Sequence, residues 1–494
     1  MSTAKKFAGQ TAVYGLSTIA GRVLNFFLTP IYTKAYSPGV YGIFTTMFVW
    51  ASVLNPVLAF GMETTFFRYL NKKDRSTQKV YNNSFAVVFV ISGIFLLFTL
   101  PFTNIIANWI QVGDRTSQHE FIVYIRYFIA ILVIDSWCVI PFAKIRADGR
   151  PGRYGVVKLT NILIFIGLNL LFIVVLPYWL KHQLPGYAWI GQWYTKGWVG
   201  YVFLSNLLAS SITLIMLLPE LLKLRFDFEW KLFGEMFAYS WPVLIANLSF
   251  IVNENFDKIL LGKLLPITIS AREVGIYAAC AKISIFLSIF VNAFRLGAEP
   301  FFFSHAKNKN AGQTYARIMD YFVVAVCLIF VALIANIQIL KYFVNDKYWV
   351  GLGVIPPLVF GYVSLGIYMN LSVWYKLSDQ TKYGLYISGI GAIVTIVLNV
   401  LFIPKYSYMA SAWISLIAYA TMMVLSYIWG QKNYPIPYHL KKNLAYIIIS
   451  LILVYLSFYV FKRNIFVGNA LLLIFAGGTL LIEGKELKAI FIKR

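Results

Sequence analysis

The chain is predicted to be an all-α polytopic membrane protein of about fourteen transmembrane helices: two pseudo-symmetric six-helix lobes plus two extra C-terminal helices. Three observations predict this. Of 494 residues, 60% are hydrophobic and only 13% are charged, about half the charged fraction of an ordinary soluble domain. Apolar runs of roughly 20 residues, long enough to cross a hydrocarbon core, recur along the whole chain. Short motifs also repeat in order at a six-span offset. Backbone groups in lipid must be paired internally, so each run reads as a helix. The alternating ten-residue segments of a barrel are missing.

In chain order, the first-lobe spans are expected at 10–34, 41–67, 81–107, 119–142, 155–178 and 198–222. Those of the second lobe are expected at 233–262, 274–303, 314–341, 350–375, 384–403 and 408–430, and the two extra spans at 443–461 and 465–482. The organisation is therefore 1–225, 226–433 and 434–494. The start MSTAKKFAGQ runs into a full-length span with no small-residue cleavage site, so no removed leader is expected. The longest loop, 179–197, holds Trp179, Trp189, Trp193 and Tyr194, which are interface-type aromatics.

The repeat is read from four matches. Gly42-Ile43-Phe44 corresponds to Gly275-Ile276-Tyr277, and Gly61 through Phe67 corresponds to Gly297 through Phe303. Asp148 with Tyr154-Gly155 corresponds to Asp379 with Tyr383-Gly384, and Leu168-Asn169 corresponds to Leu398-Asn399. A six-span offset is even, so the halves share one orientation and are related by an axis along the membrane normal. Parallel repeats of this kind build transporters that expose a central site to either side in turn.

The formal net charge of +24 does not point to nucleic acid. The basic residues lie in short loops, not in one stripe with aromatic platforms. With the N-terminus inside, the inward segments hold most of the Lys and Arg. They include Arg68, Lys72, Lys73, Arg75 and Lys79 in one loop and Lys144, Arg146, Arg150 and Arg153 in another. Both termini are thus expected in the cytoplasm. Cys138, Cys280 and Cys327 sit in apolar runs without metal spacing and read as buried hydrophobes. No P-loop, HExxH or GxSxG occurs, and His119, His182, His305 and His439 are scattered, so no enzyme, metal site or cofactor is expected. Any active transport would draw on a proton or sodium gradient or the membrane potential.

Charges inside spans are costly and therefore mark function. The cations Arg22, Arg126, Lys158 and Lys282 are the substrate candidates, because a cavity lined by Arg and Lys attracts an anion such as a diphosphate headgroup. Arg22 and Arg126 have no carboxylate within four residues on their own helix and lead the set. Asn25 and Asn169 are candidates for sugar hydroxyls, although amides within spans more commonly join helices, as do Asn247, Asn253, Asn292 and Asn399. Glu63, Asp135, Glu254, Asp257, Lys258, Arg295 and Glu299 are assigned to gating or ion coupling. Among them Arg295–Glu299 and Glu254–Lys258 have the spacing of structural ion pairs, and Glu63 lies near Arg68. Lys158 also lies close enough to a span end to snorkel, and Pro30, Pro56, Pro242 and Pro300 are placed to kink helices.

The segments Gly21-Arg22-Val23-Leu24-Asn25-Phe26, Tyr36-Ser37-Pro38-Gly39-Val40-Tyr41-Gly42-Ile43-Phe44, Gly61 to Arg68, and Asn255-Phe256-Asp257-Lys258 through Gly275-Ile276-Tyr277 carry a resemblance. Together they resemble bacterial polysaccharide-biosynthesis flippases of the multidrug/oligosaccharidyl-lipid/polysaccharide exporter superfamily. The resemblance implies an inner-membrane flippase for undecaprenyl-diphosphate-linked oligosaccharides of the O-antigen or lipopolysaccharide type. It also implies two lobes in a V, a cationic cavity and alternating access. Membrane lipid and the lipid-linked oligosaccharide are the implied partners, and a glycan polymerase or ligase is a candidate one. Two alternatives stay open within the superfamily, a lipid II flippase and a drug/cation antiporter; the latter predicts an acidic site at Asp135 or Glu254. A membrane glycosyltransferase would need a catalytic outward loop, and 179–197 holds no carboxylate.

Overall fold

A computed structural model describes residues 24, 26–70, 76–113, 116–225, 227–306 and 308–492; Arg22 and Asn25 lie outside the described residues. Among the described residues there are no strands, and eleven helices are long and apolar enough to cross a membrane. They coincide with the expected apolar runs, apart from the first, 10–34, most of which lies outside the described residues, and the sixth. The spans expected at 384–403 and 408–430 are two helices that run end to end within Lys382–Asn433 and meet at a kink at Ser407, where the backbone is not helical. The span expected at 198–222 is a shorter apolar helix, Gly200–Met216. It breaks at Leu217, just ahead of Pro219.

The chain forms two compact units, Met1–Gly275 and Ile276–Arg494. In the first, six helices matter for the site: α1 Pro38–Ala59, α2 Met62–Leu70, α3 Gln118–Ala147, α4 Pro151–Leu170, α5 Gly200–Met216 and α6 Trp230–Leu264. Local chemistry starts them. Ser37 caps α1 by accepting from Val40 N at 3.5 Å, and Pro38 occupies its first turn. Ser117 caps α3 by accepting from Glu120 N at 3.3 Å. α1 ends where Phe60 and then Gly61 turn left-handed; a side chain at Gly61 would press on the Ser240 carbonyl of α6. α5 packs on α3 and α4, and α1 packs on α3 and α6. Met62, Phe66, Tyr81, Ile140 and Met236 make a shared core at one end.

In the second unit, Ile355–Leu371 packs on Lys382–Asn433. Ala311–Ala335 is the post on which the last two helices, Leu440–Tyr455 and Ile465–Ile492, are mounted. At one end His439 Nδ1 meets Asp320 Oδ2 at 2.6 Å. At the other, Asn336 and Asn469 exchange amide hydrogen bonds at 3.2 and 3.1 Å, and Gly468 lies against the Ala335 backbone. Asn336→Leu is expected to cost about 1–2 kcal/mol, because it removes the donor to Asn469 Oδ1 and one acceptor of the Asn469 amide, which keeps only Ile465 O. Asn336→Leu/Asn469→Leu together should cost less than the sum of the two single changes. Equilibrium denaturation of the four proteins checks this.

Candidate functional site

Two helices of the first unit, α4 and α5, carry polar residues at the i, i+4, i+7 spacing that places them on one face, and α3 presents a mixed face at the same spacing. On α3 the face reads Asp135, Val139 and Phe142, with Arg146 one turn further; on α4 it reads Tyr154, Lys158 and Asn161; on α5 it reads Asn206, Ser210 and Thr213. The three stripes converge on an open cavity of about 590 Å³, bordered also by Ser52 and Asn55 of α1, Glu63 of α2 and Asn247 of α6. Amides and hydroxyls thus dominate the wall. The Asn161 amide donates to Thr213 Oγ1 at 2.9 Å, which orients both side chains.

The two cations of the cavity differ. Arg146 is engaged: its guanidinium pairs with Glu63 and lies 4.8 Å from the Phe67 ring centroid. Lys158 rests over the face of Phe142, 4.3 Å from the centroid, and makes no ion pair among the described residues. Its neighbour in the cavity is the Asp135 carboxylate. An ammonium held by an aromatic face keeps its hydrogens available to an incoming anion.

Below the cavity, charge is locked into structure. Asp148 accepts from Lys144 at 2.6 Å and from Arg150 at 2.8 Å, and Glu220, buried, takes Arg150 at 3.4 Å and Arg153 at 3.3 Å. Burial pushes the Asp148 carboxyl up, but Lys144 and Arg150 outweigh it and hold the group below its ordinary range.

Of the expected substrate residues, Lys158 is in the cavity. Arg126 is exposed on α3, nine residues or about 13 Å along the axis from Asp135, and does not line it. Asn169 is buried and joins helices: its carbonyl accepts from the Tyr32 hydroxyl at 3.0 Å and its amide donates to Phe165 O at 2.7 Å. Lys282 is half-buried in the second unit.

Of the gating set, Asp135 and Glu63 line the cavity. Glu63 takes its cation from α3, not from Arg68, whose guanidinium lies 4.0 Å from the Tyr239 ring centroid. Lys258 pairs with Asp257 at 2.9 Å, while its link to exposed Glu254 is to the backbone carbonyl, at 3.1 Å. Glu299 pairs with Lys376 at 2.7 Å in place of the expected Arg295; all three border one small cavity in the second unit. Sequence reasoning misses Asn161, Asn206, Ser210 and Thr213, whose only signal is the shared spacing. It also misses Asp320 and the buried Glu483, which accepts from Lys442 at 2.8 Å and from Tyr446 at 3.2 Å. Among the described residues, no cluster of His, Cys, Asp or Glu is arranged to hold a metal.

Residues 7–304 match a family described as polysaccharide biosynthesis protein, and residues 242–401 match the MatE family. No curated protein matches. Among solved structures, the fold is similar to the lipid II flippase MurJ in an inward closed conformation. The TM-score is 0.72 and the identity 14%, over 96% of this chain and 99% of that one. A multidrug resistance MATE family transporter of the MOP superfamily is similar both in its inward-facing form (TM-score 0.62, 12% identity, 85% and 94% coverage) and in its outward-facing form (0.56, 12%, 86% and 95%).

Proposed function

This chain belongs to the polysaccharide biosynthesis protein family, and from that premise we propose that it is a flippase carrying an undecaprenyl-diphosphate-linked oligosaccharide across the cytoplasmic membrane. The carrying observation is the cavity: the Lys158 ammonium beside the Asp135 carboxylate, in a wall rich in amides and hydroxyls. Its size falls within the roughly 300–1,000 Å³ of small-molecule sites. Sugar hydroxyls find partners at Asn161, Asn206, Ser210 and Asn247, a phosphate oxygen finds Lys158, and the polyprenyl chain stays in lipid. Rocking of the two repeated halves, 1–225 and 226–433, supplies access from each side in turn. In this reading both termini are cytoplasmic, Arg22 and Arg126 add positive field along the path, and a glycan polymerase or ligase receives the product.

Asp135 is the coupling group of this proposal. A carboxylate sharing a cavity with Lys158 competes with a phosphate for that ammonium, and protonation removes the competitor. The same carboxylate, together with the MatE match, favours a second reading, a drug/cation antiporter.

Purified protein in proteoliposomes separates the readings. With an undecaprenyl-diphosphate oligosaccharide, lipid II and a cationic dye supplied in parallel, the oligosaccharide is expected to translocate. Movement of the dye alone overturns the proposal in favour of the antiporter, and movement of lipid II alone in favour of that flippase.

A further inference from the structure

Beyond the cavity, the loop region 176–198 is a folded unit. Leu176, Ile190, Tyr194 and Tyr201 form a small buried cluster. Three hydrogen bonds brace it: Tyr194 Oη donates to Phe172 O at 2.6 Å, Trp179 Nε1 to Pro185 O at 3.0 Å, and Thr195 N to Tyr201 Oη at 2.9 Å. On this rigid frame large aromatics face outward: Trp189 is 66% exposed, Tyr178 58% and Trp193 44%.

Two lengths say what covers them. The helix leading in, Pro151–Lys181, has 31 residues, about 46 Å against a hydrocarbon core of about 30 Å. Its exposed apolar stripe, Leu163 then Val174 and Val175, continues into Tyr178 without a break. Leu163 and Tyr178 are 15 residues apart, about 22 Å along the axis, so a hydrocarbon core of about 30 Å that covers Leu163 is long enough to reach this bracket. The helix leading out, α5, has 17 residues, about 25 Å, and falls short of the same core. The bracket sits at that short end, where exposed Lys181 and Lys196 also lie.

We propose that residues 176–198 are an interfacial anchor, seated in the phospholipid headgroup layer with Tyr178, Trp189 and Trp193 at the acyl boundary and Lys181 and Lys196 on lipid phosphates. Amphipathic rings prefer that layer, and ammonium groups at span ends reach for phosphate. The anchor fixes the depth of α5, and α5 supplies Asn206, Ser210 and Thr213 to the cavity wall. Lipid contact at one loop thereby sets the height of the binding residues.

The test places a nitroxide at Trp189→Cys, at Trp193→Cys and, as an aqueous reference outside the segment, at exposed His119→Cys, with Cys138, Cys280 and Cys327 replaced by alanine. The protein is reconstituted in phosphatidylethanolamine–phosphatidylglycerol vesicles. Collision with a water-soluble nickel chelate is expected to be several-fold lower at 189 and 193 than at 119, yet measurable. Nickel access at 189 and 193 equal to that at 119 overturns the anchor and leaves a solvent-facing platform such as one for sugar rings. Complete nickel exclusion also overturns it, because the labels would then lie in the acyl core. For the phosphate contacts, Lys181→Glu/Lys196→Glu should lose phosphatidylglycerol retained in native mass spectra; undiminished retention overturns that assignment.

Discussion

Reversing the charge at Lys158 abolishes translocation while the protein stays in the membrane at its normal level. The side chain has little structural work: it lies on Phe142, enters no ion pair among the described residues, and faces open volume. Its loss costs the fold the roughly 0.5–2 kcal/mol of a cation–π contact together with its attraction to the Asp135 carboxylate. A charge-assisted hydrogen bond to a phosphate oxygen is worth about 1.5–3 kcal/mol, so Lys158→Met should slow flux by about ten- to a hundredfold. Lys158→Glu does worse, since it repels the proposed diphosphate and adds a second anion beside Asp135. Lys158→Arg, which keeps a donor on a planar head, should retain part of the flux. Proteoliposome flux normalised to protein amount checks the series. Wild-type flux in Lys158→Glu would mean that the cavity does not hold the charged part of the cargo.

Gly42→Leu is the most destabilising single change expected here. A Cβ at Gly42 would land on the Ala271 carbonyl, and one at Gly275 on the Pro38 carbonyl. The obstacle at both places is backbone, which cannot rotate away, so α1 and the segment around Gly275 would have to separate. Overpacking of this kind costs about 1–3 kcal/mol where side chains can adjust, and more where they cannot. Small residues at such crossings let membrane helices approach closely. Gly42→Ala should destabilise in the same direction by less. Gly39, one turn earlier on α1, has open space around it, so Gly39→Ala should instead stabilise slightly through helix propensity. Thermal unfolding in detergent ranks the four proteins; an unchanged midpoint for Gly42→Leu would show that the contact is not maintained.

The apolar runs made the helices legible, because length and hydropathy alone decide what can cross a membrane. The repeat also pointed to real features. Gly42 and Gly275 are the pair whose backbones touch, and Glu63 and Glu299 are each the carboxylate that reaches another helix of its own unit. The partners were not legible. Glu63 and Arg146 are separated by 83 residues, and no i, i+4 rule reaches that far; Glu299 likewise passes over Arg295 for Lys376. Isolation along one's own helix proved a poor guide to cavity placement. Arg126 has it yet lies outside the cavity, whereas Lys158, which the sequence also allows to snorkel, lines it. The hydroxyls and amides of α4 and α5 stayed hidden because such residues are common in apolar helices, and only the convergence of three faces gives them meaning.

The matched carboxylates have a mechanical corollary. Glu63 fastens α2 to the end of α3, and Glu299 fastens Ile267–His305 to Val373–Leu377, each within reach of aromatic or apolar packing. Each repeat thus carries one such cross-link at the same place in its sequence, and neither spans the non-helical joint at Ser407, where the chain has already given up regular geometry.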